Sequence, residues 1–289
     1  MPLPGVVVAA ARGGGAAEEA AGDSGFEDGI REVLQNLTSV LKTLEETTDA
    51  PLRAVLGWLT RRDVGFSSKS DASVQCMPQE IPEEVSLMQL VCAEPTNPGI
   101  IQLLDWYHGP REIVIVMELM ESSVDLSQFV KMQRSPLSET QVRNIFRQIV
   151  KAVQHCHSRG VFHRDIKPKN ILIQISTEQI KLIDFGSGTL LHNQEYIRFC
   201  GTWLYAPPEC VARKSYAAVP TTVWSLGVTL YMILCGHLPF KTSDEIIKYR
   251  FNITRDLSEE CEDLIRQCLS FSPKWRPTLE DILVHQWLC

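Results

Sequence analysis

Along this chain the alternation of apolar and polar positions changes character several times. Residues 1–25 are rich in Ala and Gly with a few Glu and show no apolar period, which predicts disordered, low-complexity chain. Over 26–47, Ile30, Val33, Leu34, Leu37, Val40, Leu41 and Leu44 recur at spacings of three and four, the stripe of an amphipathic helix. Such a stripe either packs on its own domain or takes a partner, and packing is the commoner use. Residues 60–81 are polar and irregular, predicting loop. From residue 82 the pattern sharpens. PEEVSLMQLVCAE predicts a short helix, and IIQLLDWYH and EIVIVMEL predict a strand pair around HGPR. Helices are predicted at about 126–133 and 139–159, a second strand pair at ILIQIS and IKLIDF, and several helices from about 205 to the end. The expectation is an α+β chain: a small strand-containing part, 82–120, a larger and mostly helical part, 121–289, and a charged loop where they meet. The longest apolar run, VWSLGVTLYMILCG (223–236), is short for a bilayer span and reads as a buried helix.

Composition narrows this picture only a little. With 289 residues, 44% hydrophobic and 22% charged, the chain can form one large domain or two lobes around real cores. A net charge of −7 argues against nucleic acid or an anionic membrane as the main partner. The nine Cys show no C-x-x-C pair and no zinc-ligand spacing with His, which predicts reduced, mostly buried thiols in the cytosol or nucleus. The start, MPLPGVVVAAARGGG, has no basic residue before its apolar run, so no secretory signal is read there. Its triple glycine lacks G-x-G-x-x-G spacing and a predicted preceding strand, and reads as flexible chain rather than a phosphate loop.

The chemistry concentrates in HRDIKPKN, residues 163–170. Moving a phosphoryl group onto a hydroxyl needs a carboxylate to orient the hydroxyl and accept its proton, a cation on the phosphate oxygens, and hard oxygen ligands for Mg²⁺. Asp165 suits the first task, Lys167 the second, and Asn170 with Asp184 of IDFGSG the third; Arg164 reads as structural.

H-R-D-x-x-x-x-N followed by D-F-G is the protein-kinase signature. The remaining motifs agree: GTWLYAPPE (201–209) with Glu209, VWSLGVTLYMILCGHLPF, and KWRPT with Arg276, which the family pairs with that Glu as a structural ion pair. More closely, LLDW, HCH, IDFGSG, PPE and VWSLG (without the usual Asp before it) resemble the Pim serine/threonine kinases over about residues 82–289. The resemblance implies a bilobal kinase fold that binds ATP and Mg²⁺ and acts as a monomer on protein substrates. By that likeness Glu84 is the helix glutamate of the small lobe and Met117 the gatekeeper. Glu118 and Met120 offer hinge backbone groups to adenine, Asp125 sits near the ribose, Leu172 and Ile183 floor the pocket, and Thr202 hydrogen-bonds near Asp165. His155, His157, His163 and His285 fall where the family uses packing or backbone-bonding histidines. The lysine two places after Asp165 marks Ser/Thr specificity within the family.

The sequence also departs from the family. No G-x-G-x-x-G-x-V loop and no V-A-I-K strand precede Glu84, where Lys42 and Lys69 are the only lysines, so the small lobe is predicted truncated or atypical. This leaves open an enzyme, or a catalytically impaired pseudokinase or truncated isoform that works as a binding protein, or a Lys69 acting from an unusual position. Met120 stands where Pim kinases carry a proline and restores an N–H. Lys169 and His237 replace acidic residues near the substrate groove, which speaks against Arg-rich substrates. The segment HNQEYIRFCGTW contains Tyr196 and Thr202 but no Ser, and no activating phosphosite is read in it.

Overall fold

In the computed structural model the described residues are 81–108, 112–213 and 215–289, with the backbone of two strands at 6–12 and 67–68. They divide into a small unit, Met1–Val85 with Gln102–Leu119, and a large unit, Ser86–Ile101 with Met120–Cys289. The amphipathic stripe at 26–47, most of the polar stretch 60–81, Lys42 and Lys69 lie outside the described residues.

The small unit carries an antiparallel sheet ordered β1 (Val6–Arg12), β4 (Glu112–Glu118), β3 (Leu103–His108), β2 (Ser67–Ser68). The predicted strand pair is present: β3 and β4 run antiparallel, with a register shift between Leu103 and Asp105. Trp106 and its cross-strand partner Ile115 are buried on one face of the pair, and Val114 is buried on the other. Beyond the strands, Glu118 N–H donates to Gln102 O (3.0 Å), and Gln102 N–H donates to the Glu118 carboxylate (2.8 Å).

The expectation of disorder over 1–25 is corrected at Val6–Arg12. This segment pairs along the whole of β4, from Val6 opposite Glu118 to Arg12 opposite Glu112. Three consecutive valines favour extended backbone, and β4 needs a neighbour for the hydrogen-bonding groups on its second edge. The glycines at 13–15 therefore do follow a strand, contrary to expectation, although they themselves lie outside the described residues.

In the large unit, α3 (Glu139–Ser158) presents Val142, Ile145, Phe146, Ile149, Val150, Val153 and Cys156 to the core, and starts with a reciprocal Ser138–Gln141 capping box. The helix α5 (Ala218–Cys235) is apolar on every side and buried almost throughout. It is the only helix among the described residues long and apolar enough to cross a membrane, and with 83% of it buried it is a core element here. Two of its hydroxyls bond to neighbouring backbone: Ser225 Oγ donates to Tyr205 O (3.0 Å) and Thr229 Oγ to Ile166 O (3.4 Å). Gly236 (φ +77) ends it in the left-handed conformation, N–H bonded to Met232 O.

The boundary between units also departs from the predicted one. The helix α1 (Glu83–Cys92) begins in the small unit, but residues 86–101 belong with the large one. His155 Nε2 lies 2.8 Å from Val91 O, Arg159 donates to Ala93 O and Pro95 O, and Ile101 N–H donates to Leu182 O. These bonds tie the segment to α3 and to β8 (Ile180–Leu182) more firmly than its own sequence neighbours do.

The expected Glu209–Arg276 pair is bidentate, at 2.7 and 2.8 Å, with Arg276 also donating to Ser270 O and Pro220 O and its guanidinium over the Trp224 ring. The Arg276 side chain is 0% exposed, so removing its partner strands a charge in the core. Glu209→Gln is expected to lower the unfolding free energy by about 3 kcal/mol, read by chemical denaturation. His157, packed edge-on against Phe162 with its Nε2 3.4 Å from Thr222 Oγ, has its pKa pushed down from 6.5 to about 4 by burial. The unfolded chain therefore binds more protons across that interval, and stability falls as pH drops from 6.5 towards 4. His157→Gln is expected to flatten this acid limb in denaturation curves taken at several pH values.

Candidate functional site

The loop 163–170 is held at both ends by short strands whose inward residues are apolar. Upstream, β6 (Val161–Phe162) pairs with β9 (Thr189–Leu190); downstream, β7 (Ile171–Gln174) pairs with β5 (Ser123–Asp125) and β8. Ile171, Ile173, Ile180 and Leu182 point into the core, so the charged side chains between the strands sit on a fixed frame.

His163 is buried and neutral: desolvation pushes its pKa down. Its Nε2 lies 3.0 Å from Ile183 O and its Nδ1 accepts the Asp165 N–H at 3.3 Å, which places the single proton on Nε2. Arg164 adopts φ +66, a conformation non-glycine residues rarely hold, and donates to Ser187 O and Gly188 O. That is the structural role its sequence position implied.

Asp165 is the focus. Its Oδ2 accepts from Lys167 Nζ and from Asn170 Nδ2 (3.1 Å), and its Oδ1 accepts the Thr202 N–H (2.8 Å). Lys167 Nζ also donates to Thr202 Oγ (2.8 Å), and Asn170 Nδ2 to Asp165 O (3.0 Å). Burial pushes the Asp165 carboxyl up, but the bonds from Lys167 and Thr202 outweigh it and hold the group below the usual carboxylate range. A carboxylate offers roughly four acceptor positions, and here Lys167, Asn170 and Thr202 supply the donors that hold it.

Ile183 N–H donates to Asn170 O (3.0 Å), extending the β7–β8 ladder by one step and bringing Asp184 to the same end as Asn170. Asp184 (φ +65) is exposed, and among the described residues its Oδ1 accepts the Gly186 N–H, at 3.3 Å. The Asn170 amide nitrogen is taken up by Asp165, so its Oδ1 is the atom left to bind elsewhere. One amide oxygen and one carboxylate are hard donors of the kind Mg²⁺ accepts in small number. Among the described residues no group of three or more His, Cys, Asp and Glu forms a metal cluster, so a site of softer, transition-metal type is absent there.

Asp165, Lys167, Asn170 and Thr202 thus form one bonded set in the large unit, with Asp184 beside it. Leu172 and Ile183 are half-buried, Leu172 on the face of β7 opposite Ile171 and Ile173. Met120 is nearly buried, with its carbonyl accepting from Ser123 Oγ (2.6 Å). Asp125 caps α2 (Leu126–Met132), its Oδ1 accepting the Gln128 N–H. Glu84 is half-buried in the first turn of α1, and Met117 and Glu118 close β4; all three belong to the small unit. The strand paired to β4 contains one basic residue, Arg12, at the end far from Glu118.

Sequence reading missed Gly201. At φ +125 it brings the backbone so close that a Cβ would lie 2.5 Å from Arg164 O. This contact seats Thr202 on Asp165. The visible signal was a glycine directly before the GTWLYAPPE threonine, but only the fold shows what it touches.

Residues 66–288 match the protein kinase domain family. The chain is 43% identical over 220 residues to the zebrafish serine/threonine-protein kinase pim-2, covering 73% of this chain and 71% of that protein. It is 40% identical over 214 residues to prk-2 of Caenorhabditis elegans, covering 73% and 48%, and 35% identical over 215 residues to the probable serine/threonine-protein kinase MARK-A of Dictyostelium discoideum, covering 72% and 20%. The match begins upstream of residue 82, where the sequence pattern had first become recognisable.

Gly201→Ala is expected to cost about 1–3 kcal/mol of stability, from backbone strain and the forced shift of the Arg164 carbonyl. Denaturation measures the cost, and faster hydrogen exchange at the Thr202 amide reports release of its bond to Asp165.

Proposed function

Because this chain belongs to the protein kinase family, among serine/threonine kinases, we propose that the loop 163–170 carries out transfer of the terminal phosphoryl group of ATP to serine or threonine hydroxyls of proteins. The observation that carries this reading is the Asp165 carboxylate, held ionised by Lys167, Asn170 and Thr202. Asp165 orients the substrate hydroxyl and accepts its proton as the new bond forms. Lys167, already beside Asp165 and Thr202, places its ammonium against the phosphoryl oxygens. Asn170 Oδ1 and the Asp184 carboxylate are the residues that would hold Mg²⁺, which when bound offsets the negative charge of the transferred group.

Met120, Leu172 and Ile183 of the large unit are assigned to the adenine and Asp125 to the ribose. The eight described cysteines are free thiols, which favours a reducing compartment, cytosol or nucleus. The catalytic set of the large unit is complete, which favours an enzyme over a scaffold. Phosphoryl transfer depends almost wholly on positioning and electrostatics, so without a glycine-rich loop or V-A-I-K lysine in the sequence, turnover is proposed to be slow.

With the purified full chain, Mg-ATP and a protein substrate, Asp165→Asn is expected to lower the phosphate-transfer rate by about 10²–10⁴-fold. Asp184→Asn is expected to abolish the Mg²⁺-dependent part. Transfer that survives both substitutions unchanged would refute the assignment.

A further inference from the structure

Two exposed side chains next to Asp165 have no task in the transfer chemistry, and they differ sharply in kind. The first is Lys169. In the 3₁₀ turn Pro168–Asn170, Asn170 is turned in toward Asp165 and Pro168 is buried, which leaves Lys169 directed outward. It makes no hydrogen bond or ion pair among the described residues, whereas Lys167, two residues earlier, is held by Asp165 and Thr202. The second is Trp203. Its backbone follows directly on Thr202, whose N–H is bonded to Asp165 Oδ1, yet its side chain is 54% exposed. The Phe199 ring lies 5.1 Å from it, so the indole is one of a pair of aromatic rings in this segment.

The carboxylate itself shows how these two are disposed. Oδ2 faces the turn that carries Lys169, and Oδ1 faces the segment that carries Trp203. A polypeptide whose hydroxyl approaches Asp165 therefore meets a free cation on one side and an apolar aromatic surface on the other. Nearby acids do not neutralise the lysine: Asp165 is paired with Lys167, and Asp125 caps α2, the helix packed against this turn. Asp184 remains exposed beside Asn170, the position where a divalent cation would screen it.

Resting on the reading above, we propose that this chain selects protein segments with an acidic residue on one side of the phosphorylated Ser or Thr and a bulky apolar residue on the other, Lys169 recognising the acid and Trp203 the apolar side chain. The lysine acts chiefly by discrimination: it attracts a carboxylate and repels an arginine at the same place.

The test uses the full chain, its Lys169→Glu and Trp203→Ala variants, and serine peptides with Asp or Arg, and Leu or Ser, at the flanking positions. Two readouts are taken: phosphate incorporation with Mg-ATP, and peptide binding by fluorescence anisotropy without nucleotide. The unmodified chain is expected to favour Asp over Arg by about fivefold, the upper range for one exposed ion pair. Lys169→Glu is expected to reverse that order, and Trp203→Ala to weaken the Leu peptide by about tenfold while leaving the Ser peptide unchanged. Equal use of the Asp and Arg peptides, a preference for Arg, or a charge preference that survives Lys169→Glu overturns the proposal. Lys169-dependent binding without any phosphate transfer would keep this recognition and refute the kinase reading; transfer without charge preference would do the reverse.

Discussion

Everything chemical in the large unit is arranged around one carboxylate. Asp165 sits in a loop too polar to bury unaided, and it is buried because donors from two segments converge on it: Lys167 and Asn170 from its own loop, and the Thr202 amide from a segment more than thirty residues later. Each bond offsets part of the desolvation that would otherwise drive the carboxyl towards its neutral form. Taking the donors away would raise the group's pKa and leave 201–203 without its anchor. The same bonds therefore set the charge of the reacting group and the path of the chain beside it.

That arrangement depends on a frame with little freedom. The helix α5 is buried almost throughout, and two of its hydroxyls bond to backbone near the loop: Thr229 to Ile166 O, Ser225 to Tyr205 O. The Glu209–Arg276 pair fastens the chain after Thr202 to the end of the unit. At the other side, Glu139 accepts from Ser258 N–H, Ser258 Oγ and Trp287 Nε1, so the first turn of α3 holds the last residues of the chain. An ion pair like Glu209–Arg276, with the Arg276 side chain fully buried, contributes little net stability beyond an apolar replacement but is costly to break from one side, which favours a single arrangement.

The segment between β9 and Thr202 is ordered by rings. Tyr196 and Tyr216 exchange backbone hydrogen bonds and stack at 5.6 Å, Phe162 packs on both, and the Tyr196 hydroxyl donates to Leu190 O. With its hydroxyl engaged and its ring 8% exposed, Tyr196 serves as a core residue of this segment. Around Tyr196 the ordering is supplied by apolar burial, and at Thr202 by hydrogen bonds to Asp165 and Lys167.

Much of this was legible in the residues. Period and alternation marked the strand pairs and the long helices, because an element with one buried face must repeat its apolar positions at its own pitch. H-R-D-x-x-x-x-N and D-F-G carried the chemistry, since phosphoryl transfer demands those groups at short range. The run VVVAAA was too short and too uniform to distinguish loose chain from a strand; only the open edge of β4 decided it. Residues 86–101 looked like part of the small lobe by order along the chain, and hydrogen bonds to α3 and β8 placed them elsewhere. The reach of Gly201 to Arg164 and the outward turn of Lys169 depend on contacts between segments far apart in sequence. By itself the sequence determined which side chains are present and the local pitch that spaces them. The tertiary structure decided which of them face one another, because that depends on packing a one-dimensional pattern cannot express.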